Sequence, residues 1–323
     1  MGSNAYDVHS AVSTKLNKIK MGSTEVWTGR LIIPALSVYP TASVLFNDEI
    51  HIFSYNAHYV LHNNVWTQKN NVSGASSNQP AEQSNFAIYN NELYFFDCYV
   101  ARKLYKYNVS NDSWTEVTNF SSDYNFSYNG LFVDSAGLYT LKYKYAYDFS
   151  YRYESVSGVS LMRILPSQSS YPISFNKDVS NLSNPVPVIS CLNVIENGPS
   201  IIVLSINNVS NATQYWTVNN LSFTTISSHN FPTMRTTMSG GNIASTLSKG
   251  IRYKDNDYIF PGNSGHYWKK GKNDSYNSWV ENSSLGSTTY RSPIVFNNEL
   301  YVFGYNNVAQ FNGSSWLVNG QAV

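Results

Sequence analysis

Short apolar runs separated by Asn, Asp and Ser recur along the chain, and the clearest set lies between residues 85 and 117. Phe86–Tyr89 and Leu93–Phe96 are both apolar and are joined by the pair Asn90-Asn91. A third segment, Leu104–Tyr107, alternates apolar and polar residues before a polar cluster leads to Trp114. Aromatic and β-branched runs of this length, bounded by turn-forming residues, predict short strands joined by hairpins.

The same pattern returns in other parts of the chain. Phe296–Phe303 (FNNELYVF) nearly copies Tyr89–Phe96 (YNNELYFF), residues 42–67 and 250–280 follow the same order, and weaker copies begin near Gly130 and Pro187. The predicted first turns, spaced by 42 to 62 residues, fall at Asn47, Asn90, Asp134, Glu196, Asp255 and Asn297. Four-stranded units of about 40–50 residues are typical of β-propellers. We therefore predict an all-β propeller of six blades, with five blades and one large insertion as the alternative.

These repeats resemble the kelch family, whose units have an apolar first strand, a turn, a second strand ending in a glycine pair, and a spaced Tyr and Trp. Tyr107 and Trp114 match the spacing of that Tyr and Trp best. The glycine pair is missing, and only Gly304 stands at such a position. The resemblance covers roughly residues 40–320 and implies a diverged kelch-like β-propeller, without implying an activity.

The chain divides into a predicted N-terminal arm, residues 1–30, and a propeller, residues 31–323. Glu25–Thr28 resembles the end of a blade, so the arm is expected to supply one or two strands that complete the last blade and cover its edge. The N-terminus lacks the apolar stretch of a signal peptide, and no apolar run is long enough to span a bilayer. Neither standard secretion nor a membrane partner is expected.

Composition and motifs limit the kinds of partner and reaction that the sequence predicts. Charged residues are only 13% and the net charge is +1, which favours neither nucleic acid nor acidic lipid as a partner. Cys98 and Cys191 are too few for a disulfide framework. His58 and His62 lie in predicted strands and lack the Glu of a helical zinc motif. Because no nucleophile elbow, phosphate-binding loop or close acidic pair is found, the sequence predicts no catalytic residue, metal or cofactor, and hence no enzyme.

Candidate binding residues lie in predicted loops. In a four-stranded blade, the loops between the second and third strands share one face with the loops between blades, and residues 144–150 are interpreted as such a loop. Tyr and Trp side chains there would suit protein partners or the C–H faces of sugars. The predicted binding residues are Tyr99, Arg102, Tyr145, Tyr147, Phe149, His266, Tyr267 and Trp268. The tryptophans at the closing repeat position are expected to be structural, namely Trp66, Trp114, Trp279 and Trp316.

Low charge, abundant Asn, Ser, Thr and Tyr, and a repetitive β-fold resemble the tail or surface proteins of bacteriophages and phage-derived particles. That resemblance implies a multi-copy component of a tail tip, baseplate or fibre, made in the bacterial cytoplasm. The arm would dock on other particle subunits, and the propeller loops would contact host cell-surface carbohydrate or a neighbouring subunit. Two alternatives stay open. One is an intracellular kelch-type adaptor, and the other is a polysaccharide-active enzyme, which predicts acids clustered at the propeller axis.

Overall fold

The computed structural model consists of strands and turns and has no α-helix in the residues that it describes. These are residues 19–21, 24–27, 33–75, 85–97, 102–120, 126–134, 136–147, 153–172, 186–192, 200–207, 214–219, 222–227, 230, 238–239, 242–243, 249–260, 265–282, 285 and 290–323. Within these ranges, no helix could cross a membrane.

Antiparallel sheets of four or five strands follow one another along the chain, and we number the six of them blades 1 to 6. They are preceded by β1 (Ile19–Met21) and β2 (Thr24–Trp27), which pair only with each other. Blade 1 contains β3 (Ala42–Phe46), β4 (Glu49–Ser54), β5 (Ala57–His62) and β6 (Val65–Lys69). Blade 2 contains β7 (Phe86–Tyr89), β8 (Glu92–Asp97), β9 (Lys103–Asn108) and β10 (Ser113–Asn119). Blade 3 contains β11 (Phe126–Asp134), β12 (Gly137–Tyr147), β13 (Tyr153–Leu165) and β14 (Ser169–Pro172).

The second half of the chain continues in the same way. Blade 4 contains β15 (Val186–Leu192), β16 (Ser200–Asn207), β17 (Gln214–Asn219) and β18 (Ser222–Thr225). A two-stranded sheet follows, made of β19 (Met238–Ser239) and β20 (Asn242–Ile243). Blade 5 contains β21 (Lys249–Tyr253), β22 (Asn256–Phe260), β23 (Tyr267–Gly271) and β24 (Val280–Asn282). Blade 6 contains β25 (Tyr290–Phe296), β26 (Glu299–Gly304), β27 (Asn307–Phe311), β28 (Trp316–Val318) and β29 (Gln321–Ala322).

Every blade is a meander in which each strand pairs with the next strand in sequence. The first strands of neighbouring blades contact one another, in the order β25 to β3, β3 to β7, β7 to β11, β11 to β15, and β21 to β25. This is the arrangement of an all-β propeller, and it confirms the fold class predicted from the repeats. It is compatible with the prediction of six blades with five as the alternative.

The paired Asn residues of the repeat form its first hairpin turns. Asn47-Asp48, Asn90-Asn91 and Asn297-Asn298 each have two successive residues with φ between 48° and 60°. Two left-handed residues in a two-residue hairpin define a type I′ turn, whose twist suits antiparallel strands. Asn and Asp tolerate this conformation better than other residues with a side chain. The turn positions predicted from the repeat therefore follow from backbone sterics.

The Glu-Leu-Tyr sequence of the repeat makes the same contacts in blades 2 and 6. The Tyr94 hydroxyl donates to a Glu92 carboxylate oxygen at 2.7 Å, and the Tyr301 hydroxyl donates to Glu299 at 2.9 Å. Both Tyr rings pack against the next blade, whereas Leu93 packs against the preceding one. Because both faces of the second strand are buried between blades, this strand is apolar along its length instead of alternating.

Side chains close the ring between blade 6 and blade 1. Ile50 and Ile52 of β4 pack against Ile294 and Phe303 of blade 6. Two first strands are also linked here, because the Ser43 hydroxyl donates to the carbonyl of Pro293 at 3.1 Å. This interface, or seam, thus joins the first blade to the last by packing and hydrogen bonding.

Residues 33–41, which we call the closing segment, reinforce this seam. The Asn306 backbone amide donates to the Leu36 carbonyl at 3.2 Å, and the Trp66 indole donates to the Pro34 carbonyl at 2.8 Å. The segment therefore binds the second-to-third-strand turn of blade 6 and the fourth strand of blade 1.

The closing segment lies where a chain leaving blade 6 would be expected. In other blades the outgoing connection is hydrogen-bonded to the second-to-third-strand turn of the blade that it leaves. These bonds run from Val72 N to Asn56 O (2.8 Å), from Phe120 N to Arg102 O (2.9 Å) and from Leu285 N to Gly265 O (2.7 Å). In blade 6 the bond from the Asn306 amide to the Leu36 carbonyl takes the place of these bonds. Here the turn supplies the donor and the closing segment supplies the acceptor. The chain's N-terminal part thus completes the circular pattern.

This arrangement corrects the expectation that N-terminal strands complete the last blade. All five strands of blade 6 come from residues 290–322, and β1 and β2 form a separate two-stranded sheet. The edge of β28 is covered by β29, which the chain itself supplies. Closure therefore depends on the closing segment and on side-chain packing.

Truncation can separate the arm from the closing segment. Deleting residues 1–30 is expected to leave the melting temperature of the propeller unchanged within a few degrees. Deleting residues 1–41 removes buried Ile33 and the bonds to Asn306 and Trp66, and is expected to cost about 2–4 kcal/mol of unfolding free energy. Urea denaturation of both truncated chains measures the difference. Equal losses in the two chains would contradict this role of the closing segment.

Candidate functional site

The structure describes six of the eight predicted binding residues. Tyr99 and Phe149 lie outside the described residues. Tyr145 and Tyr147 were predicted in a loop, and this placement was wrong, because both belong to β12. Tyr145 pairs with Val156 and Tyr147 with Tyr153 of β13, so the alternating pattern of this segment continues as strand. Their binding role stays a prediction.

The group at residues 266–268 also starts a strand. Tyr267 and Trp268 were predicted in a loop but are the first residues of β23. The Tyr267 hydroxyl accepts a hydrogen bond from the Trp316 indole at 3.1 Å, and its ring packs on Phe260, so Tyr267 helps to join blade 5 to blade 6. His266 is exposed and lies 3.1 Å from a Glu281 carboxylate oxygen.

Arg102 lies in a different and more charged environment. Its backbone has φ of 51°, and its carbonyl accepts the bond from Phe120 that holds the connection leaving blade 2. Next to it, Lys103 and Glu116 form an ion pair of 2.7 Å. Arg102 therefore lies at the charged edge of blade 2. It is far in sequence from the predicted binding residues at 266–268 in blade 5.

The described residues contain one exposed aromatic stack on the face of the second-to-third-strand turns. Tyr39 of the closing segment and Tyr305 in the turn between β26 and β27 have ring centroids 4.5 Å apart and planes inclined by 19°. They remain 52% and 42% exposed. The two rings therefore lie face to face and each covers one face of the other, while the rest of each ring stays in water; we call this exposed stack the tyrosine platform.

Local structure explains why both rings point into solvent. Tyr305 opens the two-residue turn Tyr305-Asn306, in which Asn306 has φ of 54°. Blade 1 has the turn Tyr55-Asn56 at the same position of the repeat, where the Tyr and not the Asn has the positive φ, of 55°, and Tyr55 is 43% exposed. The bond from Asn306 to Leu36 holds the closing segment over the turn of blade 6, which places Tyr39 against Tyr305.

The platform lies on a shallow surface. The depression beside it encloses about 10 Å³ and is lined by Leu36, Val38, Pro40, Ile52, Phe303 and Gly304. A space of this size holds about one water molecule. A ligand at this place would therefore lie across the surface of the propeller and not enter a pocket.

Amide groups surround the platform, and charges are absent from its segments. The sequences of residues 33–41, 54–57 and 304–307 contain no Asp, Glu, Lys, Arg or His. The Asn319 side chain donates to Asn307 Oδ1 at 2.9 Å and accepts from the Val308 amide at 3.0 Å. By contrast, the opposite ends of the blades carry ion pairs such as Glu92 with Lys106 at 2.8 Å. Ion pairs also lie on the face of the platform, as between Lys103 and Glu116, so the neutral region is local to the platform.

A buried histidine pair lies between blades 1 and 2. His51 Nδ1 and His58 Nε2 are 2.9 Å apart, and the two rings are stacked at 5.1 Å. Both side chains are buried against Tyr107, and His58 also stacks on Phe53. Desolvation lowers the pKa of His51 from 6.5 to about 4 and that of His58 further still, with the neighbouring His51 as a second cause. The pair is therefore neutral at pH 7.

A buried charged cluster lies in blade 5. The Asp257 carboxylate is fully buried and contacts Arg252 Nε at 2.7 Å and Lys270 Nζ at 3.0 Å. The Lys270 ammonium also donates to the carbonyls of Gly271 at 2.9 Å and Asp274 at 3.3 Å. Each charge thus has a partner, which is the condition under which proteins bury charges.

The described strands offer few groups for catalysis. Asp134 is the one acid in the six first strands, which surround the axis. Among the described residues, no group of three or more His, Cys, Asp and Glu side chains could hold a metal ion. The six first strands therefore supply no pair of acids for hydrolysis.

Comparison with known proteins supports the fold. No protein family and no curated protein matches the sequence. Among solved structures, that of YjhT has a TM-score of 0.51 at 12% identity, covering 88% of this chain and 98% of that one. This degree of likeness concerns the fold alone. The narrower resemblances to kelch repeats and to phage tail proteins gain no support and stay predictions.

Two further similar structures are sugar-binding proteins by their titles. One is a GH93 α-L-arabinofuranosidase of Fusarium graminearum with arabinobiose, at 11% identity, a TM-score of 0.48, and 85% and 91% coverage of this chain and that one. The other is an Aleuria aurantia lectin with Fucα1-6GlcNAc, at 10% identity, a TM-score of 0.45, and 90% and 97% coverage. Both likenesses are too distant to assign a ligand to this chain.

One expectation is corrected by these findings. The sequence led us to exclude enzymatic activity, and that exclusion was wrong, because structures similar in fold include arabinofuranosidases. The error came from reading the absence of linear catalytic motifs as the absence of catalysis. In a propeller, residues from distant loops meet on one face, so linear motifs are a poor guide.

The tyrosine platform was missed because its two residues are far apart in sequence. A partial signal existed, since Tyr55-Asn56 and Tyr305-Asn306 follow the second strands of two repeats at the same position. The predicted binding residues were placed in longer loops instead, because those loops are richer in aromatic residues. No repeat position marks Tyr39, whose contact with Tyr305 depends on the closure of the ring.

Proposed function

We propose that this chain is a carbohydrate-binding β-propeller that attaches to cell-surface glycans through the tyrosine platform. The observation that carries the proposal is the exposed, parallel stack of Tyr39 and Tyr305. Sugar rings present C–H groups on one face, and these pack on aromatic rings in a contact that buries apolar area without fixing many rotatable bonds. The exposed Asn306 amide, in the turn that carries Tyr305, supplies a donor and an acceptor for hydroxyl groups, while Asn307 and Asn319 bond to each other and to the backbone.

The finer proposal is attachment of a phage or phage-derived particle to its host. It rests on the composition of the chain, with 13% charged residues and many Asn, Ser, Thr and Tyr. In that setting the N-terminal arm, residues 1–30, would dock on neighbouring particle subunits. Incorporation of a chain lacking residues 1–30 into particles tests the docking separately from sugar binding.

Sugar binding is tested with the labelled full-length chain on whole bacterial cells and isolated cell walls, with and without soluble wall sugars. We expect saturable binding that the sugars compete away. Release of reducing ends is followed in the same samples, so that hydrolysis would be detected. Binding that sugars leave unchanged, and that protease treatment of the cells abolishes, would overturn the proposal in favour of a protein partner.

Point variants connect this binding to the platform. Tyr305→Ala is expected to weaken binding about tenfold or more, since central aromatic contacts typically contribute over 1 kcal/mol. Tyr305→Phe should retain most of the affinity, because the ring face makes the contact. Tyr55→Ala is the matched control, since Tyr55 occupies the equivalent turn of blade 1 without a stacked partner among the described residues. Equal losses for Tyr55→Ala and Tyr305→Ala would argue against the platform.

A further inference from the structure

The polarity of the tyrosine platform bears on the class of sugar that it can bind. An anionic sugar, such as a uronic or sialic acid, is normally recognised by Arg or Lys side chains, which pair with its carboxylate. The closing segment and the two Tyr-Asn turns contain no such residue. Binding of an anionic sugar there would strip its carboxylate of water without an opposite charge from these described segments in return, which is unfavourable.

The polar groups at the platform suit hydroxyl groups instead. Asn306 is exposed and Asn307 is half-buried in the turn that carries Tyr305. The Asn319 amide is held in place by Asn307 and by the backbone of Val308. Primary amides both donate and accept, which matches the dual character of a sugar hydroxyl.

The shape of the surface adds a second restriction. The depression next to the stack has room for about one water molecule, so it cannot enclose a terminal sugar. An open aromatic surface instead accommodates internal units of an extended chain, whose C–H faces lie on the part of the stack that stays in water.

Resting on the proposed carbohydrate binding, we propose that the platform recognises internal units of an uncharged polysaccharide. Three observations support this assignment together: the exposed stack of Tyr rings, amides in three segments that contain no charged residue, and a depression beside the stack with room for about one water molecule. Charged residues stand elsewhere on this face, at Lys103 with Glu116 in blade 2 and at His266 with Glu281 in blade 5. The neutral region is therefore local to the seam between blades 6 and 1.

The test uses wall polysaccharides from the cells of the first assay, separated by anion exchange into neutral and acidic fractions. We expect the neutral fraction to compete for the full-length chain and the acidic fraction to compete at least about tenfold more weakly. Affinity is expected to change less than about twofold between about 50 mM and 500 mM NaCl, because no ion pair is formed. Tyr305→Ala should weaken binding of the neutral fraction, and Tyr55→Ala should not.

The outcomes separate this inference from the proposed function. Competition by the acidic fraction alone, lost when its carboxylates are reduced to alcohols, would overturn the neutral ligand while leaving carbohydrate binding in place. Competition only by short oligosaccharides with a free end would overturn the recognition of internal units. Failure of both fractions to compete, with binding to cells intact, would overturn carbohydrate binding itself.

Discussion

Replacing Asp257 by Leu is expected to lower the free energy of unfolding by about 3–5 kcal/mol, the usual cost of leaving buried charges without a partner. Asp257 is fully buried and is the shared acid for Arg252 and Lys270. Its removal leaves a buried ammonium and a half-buried guanidinium without a counter-charge. Because domains of this kind are stable by about 5–15 kcal/mol, a loss of this size would be visible in a urea denaturation curve.

The repeat supplies the control for this substitution. Arg252, Asp257 and Lys270 occupy paired positions on three adjacent strands. The corresponding positions are Leu45, Ile50 and Leu61 in blade 1 and Val295, Leu300 and Phe311 in blade 6. These trios are apolar, so the charged cluster replaces a hydrophobic contact that neighbouring blades retain.

A triple variant, Arg252→Leu with Asp257→Ile and Lys270→Leu, is therefore expected to lie within about 1–2 kcal/mol of the parent chain. Exchanging a whole buried ion cluster for apolar residues of similar volume is often close to neutral. The difference between single and triple variants measures the coupling among the three residues. A triple variant as unstable as Asp257→Leu would contradict this account.

Acidification from pH 7 to pH 4 is expected to destabilise the propeller by about 3 kcal/mol or more through the buried histidine pair. Burial lowers the pKa of His51 from 6.5 to about 4. One pKa unit corresponds to about 1.4 kcal/mol between protonation states. His58, whose pKa is also lowered by burial, adds to the loss in the same direction.

The sign follows from the protons bound in each state. Below pH 6.5 the unfolded chain protonates His51 and His58, whereas the folded chain keeps both neutral, so protons favour unfolding. Stability is therefore complete above pH 6.5, declines as the pH falls, and for His51 stops declining near pH 4. The charged or titratable groups near the pair are Lys69, which opposes protonation of both rings, and Tyr107, whose hydroxyl donates to Asp112.

Comparison with blade 2 supplies a variant that removes both buried histidines. Tyr94 of blade 2 stands at the position of His51, and Leu104 stands at the position of His58. The double variant His51→Tyr with His58→Leu should lose most of the dependence of stability on pH between 6.5 and 4. Glu49 lies two residues before His51, as Glu92 does before Tyr94, and can accept a bond from the new hydroxyl.

The parent chain provides the control for this experiment, because it differs from the double variant only at the buried pair. Chemical denaturation at several pH values measures the slope for each chain. If the double variant kept the slope of the parent, the buried pair would not be its source.

Much of the fold could be predicted from local sequence because its causes are local. Type I′ turns need two residues that tolerate positive φ, and the Asn pairs at residues 90–91 and 297–298 supply them. Second strands buried on both faces are apolar throughout, as in ELYFF and ELYVF. Trp114, Trp279 and Trp316 are buried as expected, and Trp66 is half-buried with its indole bonded to Pro34.

The features that sequence reasoning missed depend on contacts between blades. The stack of Tyr39 on Tyr305 joins residues at opposite ends of the chain, and no window along the sequence contains both. The end of β12 was placed too early because the loop was drawn by analogy with blade 2, although pairing with β13 continues through Tyr147. The sequence shows Asp257 as an acid where other repeats have Leu or Ile. Its role as the shared partner of Arg252 and Lys270 becomes clear only when the strands are paired.

The position of the closing segment bears on how such a chain can change over evolution. Residues 33–41 contact blade 6 in the way that outgoing connections contact blades 1, 2 and 5. The contacts between blades therefore do not depend on which blade comes first in the sequence. The order of blades in the gene and their order around the ring are then separable. A circularly permuted chain that began at blade 3 and ended at blade 2 would bury the same seams, and only the covalent link across one of them would move.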